Sequence, residues 1–148
     1  MRTSSEEVCV KEEVTFVGHV MVRATHQRTI EITTDEHLTP RGDCIIGVGA
    51  SKGVAQLSSS IKRALRTEDA RVKLTIVTQG GEFSFAAKGS KDLSFESSTD
   101  MVIRRSDFVC GRTLAISAES SAREIPRRIV GTLKSPGAAG LLRIEVYA

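Results

Sequence analysis

The sequence predicts an α+β fold in which two copies of a strand-rich unit, each with one helix, share a single core. A gapless comparison of residues 44–76 with 112–144, at an offset of 68 residues, aligns apolar positions along both segments. Each segment shows alternating apolar residues, then apolar spacings of three and four, then alternation again, which is the pattern of strand, helix and strand. We therefore expect one domain over residues 1–148, with pseudo-repeat halves at about 8–78 and 82–147.

The strands of the two copies are expected to form a mixed sheet or a partly closed β-barrel on which the two helices pack. Few residues are identical between the copies, so the case for duplication depends on the recurring apolar pattern. The alternative is that two ordinary strand–helix–strand units share a periodicity by chance. The helix positions that correspond in the two copies include Leu57 and Ile125, Ile61 and Ile129, and Leu65 and Leu133.

The first half is predicted to begin with a long strand over residues 8–24, because apolar residues alternate there and Gly18 can supply a bend or bulge. A turn at 25–28 leads into a second strand at Thr29–Thr33. We interpret these two strands as a hairpin. The segment 35–42 follows as a connecting loop.

Cys44–Gly49 is an almost continuous apolar run, which is typical of a strand covered on both faces. After a turn at 50–53, apolar spacings of three and four predict a helix. Ser58 can cap that helix, because its hydroxyl can accept from an unpaired amide of the first turn. Pro126 marks the corresponding helix start in the second half by its fixed φ and missing donor.

The remaining segments repeat this plan. Val72–Thr78 and Glu82–Ala87 are predicted to form a hairpin across a glycine-containing turn. An exposed loop follows at 88–99. The second copy is then completed by a short strand at Met101–Arg104, a strand at Arg112–Ala118, a helix that ends near Leu133 and a strand at Leu141–Tyr147.

Composition and charge narrow the class of protein. No apolar run approaches the roughly 18–20 residues that cross a bilayer, and Glu6 and Glu7 stand where a secretory peptide has its apolar segment, so we expect a cytoplasmic protein without a membrane partner. Three cysteines without a close pair argue against a disulfide framework and against a zinc ribbon. We predict no metal and no cofactor.

The net charge of +3 is too small to indicate a nucleic-acid partner by itself. Arginines are nevertheless concentrated in the second half, and the basic helix faces can contact RNA phosphate groups. One tyrosine and no tryptophan leave few platforms on which single-stranded bases could stack. Solvated helix surface is the alternative for these side chains, which are Lys62, Arg63, Arg66, Arg127 and Arg128.

The turn at 47–53 is the first candidate for a ligand site. Its glycines allow the backbone to approach an anion, a helix start offers unpaired amide donors, and Ser51 and Lys52 add a hydroxyl and an ammonium group. Its spacing matches neither of the two glycine-rich nucleotide motifs. The alternative is that small residues are needed here for tight packing of the strand against the helix.

A second candidate group consists of His19, His26 and Glu31, which could form an acid–base pair or ligate a metal. The two histidines converge only if the chain bends or turns between them, and the expected hairpin places Glu31 opposite Val22. The interpretation we prefer is that His26 satisfies backbone groups of a turn and His19 those of a strand edge.

Asp43 with Arg112 or Asp107 is a third candidate group. An ion pair there would be structural, or the arginine could hold a carboxylate or phosphate with two hydrogen bonds. We prefer a structural pair, because perturbed charge pairs are common without catalysis.

The leading functional hypothesis is a small-ligand binding protein or module that holds an anionic group near one or both strand-to-helix turns. Ser51, Lys52 and Arg112 are the expected donors. The competing hypothesis is a small enzyme acting on a phosphorylated or carboxylated metabolite, with His26 or Asp43 transferring a proton. An RNA-associated protein is the third. The sequence leaves the ligand, the oligomeric state and the existence of catalysis open.

Several short motifs, spread over nearly the whole chain, together resemble an uncharacterised, mainly archaeal family known as domain of unknown function 371. The resemblance implies a small soluble α/β protein and implies no particular activity. The family commonly has an acidic residue before the lysine of the first turn, where this chain has Ser51. The motifs are Gly18-His19, Ala24-Thr25-His26, Glu31-Ile32-Thr33, Leu38-Thr39, Arg41-Gly42-Asp43-Cys44-Ile45-Ile46-Gly47-Val48 and Arg112-Thr113-Leu114-Ala115-Ile116.

Overall fold

The computed structural model describes residues 8–38 and 42–147, and two α-helices and eight strands lie within them. The strands and helices in chain order are β1 (Val8–Val17), β2 (Thr29–Thr33), β3 (Ile45–Gly47), α1 (Ser59–Leu65), β4 (Arg71–Thr78), β5 (Gly81–Lys88), β6 (Asp100–Arg104), β7 (Thr113–Ala115), α2 (Arg127–Leu133) and β8 (Ala139–Tyr147). A short 3-10 turn precedes each helix, at Val54–Gln56 and Ala122–Glu124. No helix of the described segments combines the length and the apolar character needed to span a bilayer.

The strands form two four-stranded sheets. Sheet A has the order β1-β8-β4-β5 and is antiparallel throughout, whereas sheet B has the order β3-β2-β6-β7, with an antiparallel central pair and parallel outer pairs. Single bridges between Val17 and Val48 and between Lys88 and Ile116 connect the edges of the two sheets. The α+β class is therefore as predicted, but the described strands form neither one mixed sheet nor a closed barrel.

The predicted hairpin between residues 8–24 and Thr29–Thr33 is wrong. The first strand ends at Val17 and pairs with β8, whereas β2 pairs with β3 and β6 in the other sheet. The strand ends there because Gly18 packs against the last turn of α2, where a Cβ would lie 2.5 Å from the carbonyl oxygen of Leu133. Alternation along the sequence indicates a strand but does not identify the strand's partner.

The hairpin between β4 and β5 is confirmed, and so are both helices. The hydroxyl of Ser58 accepts a hydrogen bond from the amide of Ile61 at 3.3 Å, as expected of a residue at the start of α1. Pro126 occupies the same position before α2 without a side-chain hydrogen bond. The two copies therefore begin their helices at corresponding residues by different chemistry.

One hydrophobic core receives side chains from both sheets and both helices. Phe16 of β1 lies between Gly47 of β3 and Gly140 of β8, because a Cβ at either glycine would overlap its ring. The largest side chains that are almost fully buried come from both halves of the chain: Phe16, Ile30, Ile32, Ile46, Ile61, Leu65, Leu74, Ile76, Met101, Ile103, Leu114 and Ile125.

The order of elements in the first half is repeated in the second: three strands, a 3-10 turn, a helix and a strand. β3, α1 and β4 recur 68 residues later as β7, α2 and β8, whereas β2 recurs 71 residues later as β6. The halves are interleaved in sheet A, where β8 lies between β1 and β4. A site on either sheet is therefore built by both halves.

Candidate functional site

The glycines of the predicted turn at 47–53 have packing roles. Gly47 lies against the ring of Phe16, and a Cβ at Gly53 would overlap the main chain of Ser98. Gly49 has a φ of +57°, in the left-handed region that favours glycine. Close packing therefore accounts for all three glycines, as the alternative interpretation expected.

The polar side chains of the same turn bind to β1. The hydroxyl of Ser51 accepts a hydrogen bond from the amide of Thr15 at 3.2 Å, and Lys52 Nζ lies 2.6 Å from Glu12 Oε2. The same carboxylate accepts from the amide of Ser58 at 3.0 Å. An anion at this turn would have to compete with Glu12 for Lys52, so the role of the turn in ligand binding stays a prediction.

Glu12 is a carboxylate whose pKa reflects this arrangement. Burial raises its pKa, but the hydrogen bonds from Lys52 and Ser58, together with the charge of Lys52, outweigh burial and leave the pKa below its ordinary value. The charged form is therefore the favoured one in the fold.

Glu31 and Arg112, predicted in separate groups, lie together in sheet B. Arg112 Nη2 lies 2.6 Å from Glu31 Oε1, and Arg112 Nε lies 3.1 Å from Asp100 Oδ2. The thiol of Cys44 donates to the same oxygen of Glu31 at 3.6 Å. The partners of Arg112 are thus Glu31 and Asp100, rather than Asp43 or Asp107 as the sequence suggested.

The electrostatics of this cluster suit a structural role. Burial raises the pKa of Glu31, the charge of Arg112 opposes that effect, and Asp100 adds to it, so the pKa lies above its ordinary value. Burial and the neighbouring carboxylate of Glu31 raise the pKa of Cys44 to about 11, so this thiol stays protonated near neutral pH and is a poor nucleophile.

The histidines serve backbone groups, as we preferred. His26 Nδ1 accepts from the amides of Arg28 and Thr29, each at 3.1 Å. His19 Nδ1 accepts from the amide of Met21 at 3.0 Å. In the part of the chain that the structure describes, no three His, Cys, Asp or Glu side chains are grouped to hold a metal ion.

His26 and Asp43 line one cavity of about 320 Å³ together with Thr25, Gln27 and Arg28. Glu31 is not part of its wall, because it faces Arg112 within sheet B. The three residues proposed for proton transfer therefore do not share this cavity. Catalysis by His26 or Asp43 stays a prediction.

A cavity of about 510 Å³ on sheet A was not predicted from the sequence. We call it the basic cavity, because Arg71, Lys73 and Lys88 are among the residues that line it. The others are Val72, Ser84, Phe85, Ala86, Ala87, Ser117, Glu119 and Tyr147.

The strand register of sheet A brings these cations together. Arg71 of β4 is opposite Lys88 of β5 on one side and Tyr147 of β8 on the other, and its guanidinium carbon lies 5.8 Å from the centre of the Tyr147 ring. Lys73 follows two residues along β4 and therefore faces the same side of the sheet. All three cations are exposed, whereas Val72 is buried.

The loop after β7 forms the wall of the basic cavity beyond β5. The main-chain amide of Ala86 donates to Glu119 Oε1 at 2.9 Å, and the amide of Glu119 donates to the carbonyl of Ala86 at the same distance. Glu119 is thereby held at the edge of β5. Alternation of charged and apolar residues along β4 was the available sequence signal, but the loop and β8 join the cavity only through long-range pairing.

Three of the five basic helix residues predicted to contact RNA bind main-chain carbonyls instead. Lys62 Nζ donates to Ala55 at 2.6 Å, and Arg66 Nε donates to Leu93 at 2.9 Å. The guanidinium of Arg127 donates to carbonyls of the turn before α2 and of the loop after β1. These side chains connect the helices to neighbouring loops.

Comparison with known proteins found two matches. A family model described as "Domain of unknown function (DUF371)" matches residues 14–147. An uncharacterised protein of Methanocaldococcus jannaschii is 44% identical over 117 residues, which cover 79% of this chain and 86% of the relative.

Proposed function

This chain belongs to the family named domain of unknown function 371, and we propose that it binds a small anionic molecule in the basic cavity of sheet A. The observation that carries the proposal is the charge of the cavity. Arg71, Lys73 and Lys88 line it, and none of them forms an ion pair with a carboxylate in the described residues. Glu119 is the carboxylate among the lining residues.

The repeated element order indicates that the fold does not require these cations. The positions that correspond to Arg71 and Lys73 at the spacing of 68 are Ala139 and Leu141 in β8. The position in β1 that corresponds to Lys88, by the matching edge bridges, is Val17. Strands with uncharged residues at the same places form equally well, so the charge of the cavity calls for an explanation other than folding.

The chemistry of the cavity fits a phosphate or carboxylate group attached to a partly apolar body. Arginine can donate two parallel hydrogen bonds to such a group, and lysine supplies a compact positive charge. Tyr147 and Ala86 offer apolar surface beside the cations. The volume lies within the range of about 300–1,000 Å³ that is usual for small-molecule sites.

Thermal unfolding at constant ionic strength tests the proposal with inorganic phosphate, a nucleoside monophosphate and benzoate as probes. At least one probe should raise the melting temperature, because a ligand that binds only the folded state stabilises it, by about 2.7 kcal/mol at a hundredfold excess over Kd. The double variant Lys73→Ala/Lys88→Ala should lose that gain.

The matched control is Lys11→Ala/Lys134→Ala, which removes two exposed lysines outside the cavity and should keep the gain. The single variant Lys52→Ala separates this proposal from binding at the 47–53 turn. Loss of the gain in Lys52→Ala with retention in the cavity variant would move the site to the turn. No shift with any of the three probes would refute anion binding at either place.

We also infer that the two halves arose by duplication of one six-element unit. Seven of the described residues have positive φ, and six of them form three pairs at the spacings of the repeated elements. The two bridges that connect the sheets are paired in the same way. The positive-φ pairs are Ala24 and Phe95, Gly49 and Ser117, and Asp69 and Gly137.

A further inference from the structure

We propose that a second basic surface, which we call the arginine groove, binds the phosphate backbone of nucleic acid. It is defined by Gln27, Arg28, Arg105 and Arg123, together with His26 at one end. This surface is distinct from the basic cavity, since the two share no lining residue.

Two neighbouring cavities make up the groove. The first, of about 320 Å³, is lined by Arg28 and His26, and the second, of about 240 Å³, is lined by Arg105 and Arg123. Gln27 belongs to the walls of both. The cations are thus distributed along a continuous stretch of surface, as a chain of phosphates requires, rather than gathered around one point.

Main-chain hydrogen bonds hold the three loops of the groove together. The amide of Arg105 donates to the carbonyl of Arg28 at 2.9 Å, and the amide of Arg123 donates to the carbonyl of His26 at 3.0 Å. The side chains of the three arginines take no part in these bonds. Their positions are therefore fixed by the backbone, while their guanidinium groups remain available to a ligand.

The other half of the molecule contains the same main-chain arrangement without the charges. There the amide of Thr34 donates to the carbonyl of Thr99, and the amide of Ala55 donates to the carbonyl of Ser97, both at 2.8 Å. The residues that correspond to Arg28, Arg105, Arg123 and His26 are thus Thr99, Thr34, Ala55 and Ser97. The fold forms this junction with small uncharged residues, so three arginines in one copy are a feature of that surface and not of the fold.

The charge balance of the groove is positive. Glu124 pairs with Arg105 at 2.8 Å, and Asp43 lines the first cavity. Arg28 and Arg123 form no ion pair within the described residues. The adjoining guanidinium of Arg127, which donates to the carbonyl oxygens of Ala24 and Arg123, adds to the positive charge beside the groove.

The lining favours a hydrated polyanion over a small apolar ligand. The remaining side chains of the groove are those of Thr25, Gln27 and Ser121, all of which can donate a hydrogen bond to a phosphate oxygen. No aromatic side chain lines either cavity. Binding should accordingly depend on phosphate charge and show little preference for base sequence.

Fluorescence anisotropy with labelled oligonucleotides of about 16 nucleotides tests the proposal on the full chain. Single-stranded RNA, single-stranded DNA and duplex DNA are compared at about 50 mM and about 200 mM salt. Three phosphate contacts to a single strand predict that affinity falls about 20-fold over this range. The strongest of the three probes identifies the kind of nucleic acid.

The variants Arg28→Ala and Arg123→Ala should each weaken binding and reduce the slope of log affinity against log salt by about 1. Arg63→Ala, which removes an exposed arginine of α1 far along the chain from the groove loops, should leave affinity and slope unchanged. The proposal is overturned if no probe binds at low salt, or if Arg63→Ala lowers affinity as much as the groove variants. Circular dichroism confirms that each variant is folded.

Discussion

At the scale of single residues, the two cysteines whose side chains are described have opposite environments. Burial and the neighbouring Glu31 keep Cys44 protonated, with a pKa of about 11. Burial also raises the pKa of Cys110, but hydrogen bonds from the Arg112 amide, the Thr113 hydroxyl and the Arg104 guanidinium outweigh it and leave the pKa below its ordinary value. Arg104 Nη2 lies 3.2 Å from Cys110 Sγ.

We expect iodoacetamide to modify Cys110 well before Cys44 near neutral pH, because the thiolate is the reacting form of a cysteine. Peptide mass spectrometry after timed labelling measures the two rates. The variant Arg104→Gln should slow the reaction of Cys110 and leave that of Cys44 unchanged. Faster labelling of Cys44 in the wild-type protein would contradict the assignment.

The raised pKa of Glu31 predicts a pH dependence of stability. An acid whose pKa is higher in the folded state binds protons more tightly there, so stability falls as pH rises from about 4.5 toward the folded pKa. Glu31→Gln removes this contribution. The free energy of unfolding of the variant minus that of wild type should increase between about pH 4 and pH 7 in urea titrations. A decrease over that interval would show that the ion pair with Arg112 outweighs burial.

The sequence identified Glu31 and Arg112 as notable polar residues but not as partners. They are 81 residues apart in the chain, and pairing of β2 with β6 brings their loops together. Local patterns carry no information on such pairing. The cap at Ser58, by contrast, depends on a neighbour three residues away, and it was predicted correctly.

At the scale of elements, Glu12 connects the first strand to the start of the first helix. Its carboxylate accepts from Lys52 in the turn and from the amide of Ser58 at the start of α1. The side chain of Glu12 is only 11% exposed, so these bonds are shielded from water. Three consecutive elements therefore depend on one carboxylate.

Glu12→Gln should reduce the free energy of unfolding by about 1–2 kcal/mol at pH 7, since hydrogen bonds to a charged group are lost. Because the pKa of Glu12 is lowered in the fold, its contribution is present above about 4.5 and is lost as pH falls through the folded pKa. The deficit of the variant should therefore shrink in acid. Glu13→Gln is the matched control: it breaks a pair with Arg143 that is exposed on both sides and should change stability little.

Two glycine substitutions should have opposite effects on stability. A Cβ at Gly47 would overlap the buried ring of Phe16, so Gly47→Ala should cost about 1–3 kcal/mol or more through overpacking. Gly131 lies within α2 with no atom near its Cβ position, so Gly131→Ala should gain about 0.5–1 kcal/mol from helix propensity. Urea unfolding measures both. A destabilising Gly131→Ala would contradict the packing described for α2.

The elements themselves were largely predictable, and their partners were not. Apolar alternation located β4, β5 and β8, and spacings of three and four located both helices. The same alternation between residues 18 and 24 suggested a strand that does not form, because Gly18 meets the end of α2 and the chain turns away. The basic cavity was missed for the related reason that β8 and the loop after β7 approach β4 and β5 only in the folded molecule.

At the scale of the whole molecule, neither half is complete without the other. β8 of the second half lies between β1 and β4 of the first half in sheet A, and β2 pairs with β6 across the centre of sheet B. The end of β1 also contacts α2, since the amide of His19 donates to the carbonyl of Leu133. Folding should accordingly be cooperative over the full chain.

A fragment that ends at Gln79 should not fold as a monomer, because β1 and β4 would both lose β8. Circular dichroism should show no cooperative thermal transition for the monomeric fragment, and size-exclusion chromatography should show that any folded form is a dimer. Mixing it with the complementary fragment should restore the transition of the intact protein. A folded monomer of the first fragment would disprove the dependence of each half on the other.

The antiparallel pairing of β1 with β8 sets Val8 opposite Tyr147. A short linker could therefore join these two positions, and new termini could be opened at the tight turn between β4 and β5. The rearranged polypeptide would run from β5 to β8 and then from β1 to β4, presenting the same succession of element types as before. Circular permutation at this place would thus exchange the roles of first and second half while keeping every strand beside its present neighbours.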